Sequence, residues 1–294
     1  MTQERYINPY TDFGFKKLFG TELNKDLLMS FLNALFNGQE VVRDVTYLNS
    51  EHFGDSYRNR KAIFDVYCEN EQGEKFIVEM QKAEQDYFKD RSIFYATFPI
   101  REQAPRGDWD FQLKAVYTVG ILNFVFPDDE YSEECFHHEV KLMDTEDKHV
   151  FYDKLTFVYL EMPKFNKTES ELVTMFDKWL FVLRNLSRLM ERPAALQERI
   201  FTKLFEQAEI ARFSPQDLQA YEESIKVYRD LNNVVNTAER KGHAKGLAEG
   251  REQGRAEGEQ SKAIAVARNL KAMGMNAADI AKATGLTVAD IERA

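Results

Sequence analysis

The sequence predicts an α+β fold with an all-helical C-terminal extension. The chain opens with apolar residues at helical spacing, and six strand-like segments with one helical segment among them lie between residues 43 and 161. After Pro163 the pattern becomes mainly helical. Such segregation of strands and helices is typical of α+β proteins. The chain has 294 residues, which is enough for one large domain and a smaller appendage.

The first helix is predicted to begin at about Asp12. Thr11 and Asp12 both carry the short polar side chains that favour helix N-caps. Apolar residues then recur at helical spacing, namely Phe15, Leu18, Phe19 and Leu23. We expect a break at Gly20 and a continuation to about Phe36.

Three strands should follow, and the last two should form a hairpin. Residues 43–49 and 61–69 alternate apolar with polar side chains, as half-buried strands do, and residues 75–81 make the third strand. The connection Glu71-Gln72-Gly73 is a short loop in which Gly supplies the positive φ that a tight hairpin needs.

The remaining elements of the sheet are one helix and three strands. Residues 86–103 have helical spacing, with Pro99 kinking or shortening the helix. Residues 113–125 form a nearly continuous apolar run, which is typical of a central strand buried on both faces. Segments 135–142 and 155–161 are predicted as further strands.

The C-terminal part contains an unusual glycine repeat. Glycine occupies every fourth position within residues 238–260, at 242, 246, 250, 254 and 258. The segment is either a helix whose glycine stripe lets a second helix come close, or a flexible charged linker. Beyond it we expect one helix, a cap at Gly274, and two short helices around Gly285. The predicted division is therefore a core at 1–165, a helical subdomain at 166–235 and a helical tail at 236–294.

Composition narrows the class of protein. The first residues lack a secretory signal, and no apolar run is long enough to cross a membrane. Cys68 and Cys135 are far apart and lack a metal-binding spacing, so they indicate core residues in a reducing, cytoplasmic compartment. The net charge of −10 counts against a nucleic-acid binder but leaves room for one locally basic face.

The hairpin predicts a pair of opposed carboxylates. If Asn70 pairs with Glu74, counting outward sets Asp65 opposite Glu79, with Cβ atoms about 5 Å apart. Two ionised carboxylates that close need a cation between them, and an all-oxygen site suits Mg²⁺ or Mn²⁺ rather than zinc. Gln81 lies two residues after Glu79 and hence on the same face. The alternative is an edge hairpin whose polar face meets solvent.

Several short motifs carry a resemblance to a known family. Asp65, followed after the hairpin by Glu79-Met80-Gln81, is similar to the D…ExQ form of the PD-(D/E)XK nuclease signature. The other motifs are Asp12-Phe13-Gly14-Phe15-Lys16, Arg91-Ser92-Ile93-Phe94-Tyr95, the strand ending at Tyr159–Phe165, and the glycine repeat with Ile280–Leu286 after it. Together and in this order they resemble the Rpn branch, the recombination-promoting nucleases also described as transposases. The resemblance covers nearly the whole chain.

This resemblance implies a restriction-endonuclease-like core, with a mixed central sheet flanked by helices, and Mg²⁺-dependent cleavage of DNA in bacteria. It implies that Asp65 and Glu79 ligate the metal and that the backbone carbonyl of Met80 completes the protein ligands. The general family pattern has Lys where this chain has Gln81, and Gln can only orient water or phosphate by hydrogen bonds. Lys82 should point to the other face of the strand.

Four further residues are candidates for accessory roles. Asp12 is either an N-cap or reaches the water shell of the metal. Lys16 either contacts phosphate or belongs to a solvated helix face. Arg91 and Tyr95 share one helix face, which serves the site or packs on the sheet.

Three functional hypotheses follow. The first is an active endonuclease of recombination, transposition or defence, which the intact Asp65 and Glu79 pair favours. The second is a non-catalytic DNA-binding or regulatory protein that retains the nuclease fold. In the third the tail is the working part, although its last helix, at about 288–293, is short and acidic for reading DNA. The glycine stripe further predicts a homodimer formed through the tail.

Overall fold

A computed structural model describes residues 4–37, 42–52, 62–104, 107, 110–126 and 134–293. Residue 61, the first of a predicted strand, lies outside these ranges. The contacts divide the chain into two compact units, Met1–Asn232 and Asn233–Ala294. The further division predicted at residue 165 stays a prediction. No helix in the described ranges is long and apolar enough to cross a membrane.

The predicted α+β fold is confirmed. The helices are α1 (Asp12–Phe19), α2 (Lys25–Phe36), α3 (Phe88–Glu102), α4 (Met175–Asn185), α5 (Arg199–Ala208), α6 (Pro215–Ala272), α7 (Ala277–Thr284) and α8 (Val288–Arg293). The strands are β1 (Val45–Tyr47), β2 (Glu51–His52), β3 (Ala62–Ile63), β4 (Val66–Asn70), β5 (Lys75–Gln81), β6 (Val116–Leu122), β7 (His137–Met143) and β8 (Val150–Glu161).

The main sheet is mixed and has six strands in the order β1-β4-β5-β6-β8-β7. Strands β5, β6 and β8 run parallel, while β1, β4 and β7 pair antiparallel with their neighbours. Every residue of β6 is buried, which agrees with the apolar run that predicted a central strand. Strands β2 and β3 form a separate two-stranded ribbon.

The β4–β5 hairpin has the predicted register. The Asn70 N–H donates to the Glu74 carbonyl at 3.1 Å, and Gly73 has a φ of +79°. The ladder runs from Glu69 opposite Lys75 to Val66 opposite Val78. Asp65 is the next residue outward, at the bend between β3 and β4, and its counterpart in this register is Glu79.

An aromatic core joins the early helices to the later ones. Trp179 of α4 is fully buried, with its ring centroid 5.7 Å from that of Phe19, 6.0 Å from Phe31 and 5.2 Å from Phe201. These four rings lie on α4, α1, α2 and α5. The helices after Pro163 therefore complete the core that α1 and α2 begin.

A buried charged cluster fixes the end of β8. The carboxylate of Glu161 is fully buried and accepts hydrogen bonds from the Phe126 N–H at 2.6 Å and from His138 Nε2 at 3.0 Å. Lys164 Nζ lies 2.8 Å from the same carboxylate. Because a buried carboxylate is stable only when it is paired, this cluster holds the chain after β6 against β7 and β8.

The C-terminal unit is helical through the glycine repeat. Helix α6 continues to Ala272, so the linker alternative is wrong for this segment. Adding a Cβ at any of the five repeat glycines would meet nothing within 4 Å. Beyond Gly274, α7 and α8 pack on α6 through Ala267, Ile280 and Ile291, and Gly285 caps α7 with a φ of +72°.

Candidate active site

Six of the eight predicted site residues line one cavity of about 270 Å³ in the N-terminal unit. Its walls contain Asp65, Glu79, Met80, Gln81, Arg91 and Tyr95. Strand β5 supplies Glu79, Met80 and Gln81, the bend before β4 supplies Asp65, and α3 supplies Arg91 and Tyr95. One strand, one bend and one helix thus bring both carboxylates and one guanidinium to the same cavity.

Asp65 is held in place by the neighbouring strand. Its Oδ2 accepts a hydrogen bond from the Met80 N–H at 2.9 Å, where β4 has not yet begun. Burial raises the pKa of Asp65, whereas the Met80 N–H and the positive charges of Lys16 and Lys82 oppose that rise. The orientation of this carboxylate is therefore set by backbone geometry.

Glu79 is buried without a compensating hydrogen bond. Its side chain belongs to a residue that is 7% exposed, and its carboxylate has no hydrogen-bond partner within the described parts of the chain. Burial, together with the nearby Asp65, raises the pKa of Glu79 to about 8, and Arg91 partly offsets the effect. A carboxylate in this condition favours either a proton or a metal cation.

Arg91 lies across aromatic rings at the side of the cavity. Its guanidinium carbon is 5.3 Å from the Phe88 ring centroid and 5.7 Å from that of Tyr95. One nitrogen, Nη1, donates to Gln85 Oε1. Its Nε and Nη2 atoms are buried and have no hydrogen-bond partner among the described residues. These two donors remain free to take an anionic ligand.

Helix α3 is fixed to the sheet near the cavity. The Ser92 and Tyr159 hydroxyls are 2.6 Å apart, and the Tyr95 ring contacts Phe64 edge-on at 5.3 Å between centroids. The helix face that carries Arg91 and Tyr95 thus packs on the sheet and also lines the site.

The expectation for Lys82 was wrong. We expected it to point away from Gln81, but β5 ends at Gln81 and Lys82 lines the same cavity. Strict alternation of side chains applies only inside a strand. Gln85, which pairs with Arg91, and Leu231 of α6 also lie on the cavity wall, although no sequence motif marks either residue.

Asp12 and Lys16 lie on α1 and do not line the cavity. Thr11, and not Asp12, caps α1, because its hydroxyl accepts from the Gly14 N–H at 3.0 Å. Asp12 instead forms an ion pair with Lys16 at 3.0 Å. Both charges act on Asp65 through space, Asp12 raising and Lys16 lowering its pKa.

The residues present fit a hard divalent cation. Two carboxylates and a strand carbonyl are oxygen donors, and the orphaned carboxylate of Glu79 is the group that a cation would satisfy. No cluster of three or more His, Cys, Asp or Glu able to hold a metal occurs in the described ranges. Mg²⁺ needs no such cage, since it keeps several waters and takes one or two carboxylates with substrate phosphate.

The raised pKa of Glu79 predicts how stability of the metal-free protein depends on pH. The folded state keeps a proton on Glu79 up to about pH 8, whereas the unfolded chain releases it near the ordinary glutamate pKa of 4.5. Stability should therefore fall as pH rises between these values, by on the order of 2–5 kcal/mol. Glu79→Gln should flatten this part of the profile.

The measurement is urea unfolding in a chelator from pH 5 to pH 9. Glu206→Gln, which changes an exposed carboxylate on α5, is the matched control and should follow the wild-type profile. A Glu79→Gln profile parallel to wild type would show that Glu79 does not hold the proton.

Comparison with known proteins identifies the family. Residues 9–238 match the family described as PD-(D/E)XK nuclease family transposase, and this range contains every residue of the cavity. No curated protein and no solved structure matches the chain. The matched range covers well over half of the sequence, and the chain belongs to the PD-(D/E)XK nuclease family transposases.

Proposed function

We propose that this protein is a Mg²⁺-dependent endonuclease that hydrolyses phosphodiester bonds of DNA. The observation that carries the proposal is the pairing of the half-buried Asp65 with the buried Glu79, which lie opposite each other across one hairpin at the wall of an open cavity. Burying two acids that repel each other costs stability, and a bound divalent cation would offset that cost. Membership of a nuclease family supports the same reading.

The metal ligands in this proposal are Asp65, Glu79 and the Met80 carbonyl. The Met80 N–H already points to Asp65, and in an antiparallel pair the N–H and C=O of one residue point to the same neighbour. The Met80 carbonyl would therefore lie on the Asp65 side as well. When bound, the metal (Mg²⁺, or Mn²⁺ in its place) supplies charge at the phosphate and lowers the pKa of a bound water.

The remaining cavity residues hold the substrate and the water. Gln81 is neutral at any working pH, so its amide can orient the attacking water or a phosphate oxygen but cannot take its proton. Arg91 and Lys82 supply two positive charges beside the carboxylates. This local pair would let a chain with a net charge of −10 accept a phosphate at this one place.

We further propose a cytoplasmic, bacterial role in recombination, transposition or defence, with DNA as the partner. A non-catalytic DNA-binding or regulatory protein remains the runner-up. An intact ligand pair favours the enzyme, because a protein that only binds DNA has no need for two opposed carboxylates, one of them buried. The enzyme and the non-catalytic protein are distinguished by whether purified protein nicks or cuts plasmid DNA when Mg²⁺ is added.

The first activity prediction concerns the ligands. Asp65→Ala and Glu79→Ala should each reduce plasmid cleavage to the level seen with EDTA, while the folded state stays intact or becomes slightly more stable as repulsion is removed. Glu69→Gln changes a carboxylate on β4 that pairs with Lys75 outside the cavity, and it should cleave like wild type. Wild-type cleavage rates in both alanine variants, with unchanged circular dichroism, would remove these residues from the site.

The second activity prediction concerns Gln81. Loss of one aligned hydrogen bond in a transition state costs about 10²–10³-fold in rate. Gln81→Ala should therefore keep weak Mg²⁺-dependent cleavage under single-turnover conditions, and Gln81→Lys should be tolerated. Full speed in Gln81→Ala would show that Gln81 takes no part in the reaction.

We also propose that the tail forms a homodimer, which would bring two sites to one duplex. The five repeat glycines sit in a helix with open space around them, where each costs roughly 1 kcal/mol relative to Ala. A second helix backbone in close contact would offset this cost, because only glycine leaves that room.

Light scattering tests the dimer. The full chain should run as a dimer at tens of micromolar, and a chain ending at Val235 as a monomer. Replacing Gly246, Gly250 and Gly254 together by Leu should weaken the dimer, although each change raises helix propensity. Ala244→Leu with Ala248→Leu, about 160–200° around the helix from Gly246, is the control. A monomeric full chain would refute the dimer.

A further inference from the structure

A second cavity, of about 510 Å³, lies beside the carboxylate cavity. Its inner wall is aromatic and consists of Phe88, Phe124 and Phe126. Gln85 lines both cavities and so marks where they adjoin. A volume of this size is within the range of pockets that hold small organic ligands. A nucleic acid whose phosphate lies at Asp65 and Glu79 could place its neighbouring groups in this second cavity.

Tyr87, at the rim of this cavity, is both strained and exposed. Its φ of +60° places a bulky aromatic residue in the left-handed region, which glycine favours and other residues rarely adopt. The residue is 80% exposed, and its ring makes no hydrogen bond or ring contact with the described residues. Packing does not account for an aromatic side chain here. Backbone strain that no packing contact compensates is typical of functional positions.

The charges around the cavity select the kind of ligand. Among the described residues, Glu84, Asp86 and Asp90 lie on its rim, and Lys89 is the one cation beside them. Lys89 Nζ is 4.7 Å from the Phe126 ring centroid and so occupies that ring face. A second phosphate would be repelled by the three acids. A neutral planar ring with N–H donors would instead find carboxylate acceptors at its edge and an aromatic surface for its face.

The aromatic wall is rigidly supported. Phe124 contacts Phe88 and Phe126 edge-on, with centroids 5.8 and 6.0 Å apart. Phe126 is itself fixed through its N–H, which donates to the buried carboxylate of Glu161 at 2.6 Å. The half-buried Phe124 and the exposed Tyr87 are therefore the rings available to a ligand, one on the wall and one on the rim.

We propose that this cavity binds an unpaired nucleobase next to the phosphodiester that is cut, with Tyr87 as its stacking platform. The inference rests on the proposed nuclease function and names its substrate class. A base inside a duplex is stacked on both faces and cannot enter a side pocket unless it is unpaired. The preferred substrate is accordingly DNA with a single-stranded or displaced nucleotide at the cleavage position.

The test measures the binding of labelled oligonucleotides by fluorescence anisotropy, in EDTA and at one fixed salt concentration. Tyr87→Gly should bind a single strand about 5- to 150-fold more weakly than wild type, as expected for loss of one stacked base. Its affinity for a blunt duplex should be unchanged. Tyr87→Phe keeps the ring and should bind the single strand like wild type.

Two controls separate function from folding. Tyr87→Gly removes backbone strain, so its midpoint of thermal unfolding should be equal to or above that of wild type. Phe111 is also an exposed aromatic with a φ of +61°, but it does not line the cavity. Phe111→Gly should therefore leave single-strand binding unchanged.

The outcomes that overturn the proposal are distinct from failure of the nuclease. Single-strand affinity of Tyr87→Gly equal to wild type would refute the base pocket, and so would an equal loss for single strand and duplex. If wild type cleaves plasmid with Mg²⁺ in either case, the nuclease proposal stands while this inference falls. If wild type neither binds nor cleaves any DNA, both fail.

Discussion

The three-residue loop Glu71-Gln72-Gly73, closed by the pairing of Asn70 with Glu74, is the constraint on which the rest of the site depends. Gly73, in the left-handed region, closes the loop, and the loop length fixes Asn70 opposite Glu74. Every later pairing follows from that one, up to Asp65 and Glu79. A slip of one residue would turn each side chain of β5 to the other face of the sheet and separate the two carboxylates. The parallel pairing of β5 with the fully buried β6 makes such a slip costly.

Bringing the two acids together costs free energy, and the residues around the cavity reduce this cost only in part. Most of this cost falls on Glu79, since the residue is buried and its carboxylate makes no hydrogen bond with the described residues, while Asp65 is held by the Met80 N–H. Nearby cations reduce the repulsion without removing it, Lys82 and Lys16 acting on Asp65 and Arg91 on Glu79. A fold selected for stability alone would replace such a pair by apolar residues. The presence of this pair among apolar neighbours is the physical reason to expect a metal there.

The sequence correctly predicted the elements that depend on interactions between residues close together in the chain. The hairpin register, the buried strand β6 and the short helices after Gly274 followed from spacing and glycine positions. Lys82 was misjudged because the end of β5 at Gln81 depends on the sheet, which spacing does not reveal. Gln85 and Leu231 reach the cavity from a loop and a distant helix, and nothing in their own neighbourhood marks them. The Glu161 cluster likewise joins residues distant in sequence. Side-chain partners across the fold are what one sequence leaves undetermined.

The most direct test of the central claim is calorimetric titration of Mg²⁺ or Mn²⁺ into the metal-free protein at pH 7, repeated in buffers of different ionisation enthalpy. Because the pKa of Glu79 is raised to about 8, most molecules hold a proton there before the metal binds. Binding at the carboxylate pair should therefore release close to one proton for each metal bound, and Asp65→Ala should abolish the binding. Metal binding without proton release, or binding that survives in both Asp65→Ala and Glu79→Ala, would contradict the account.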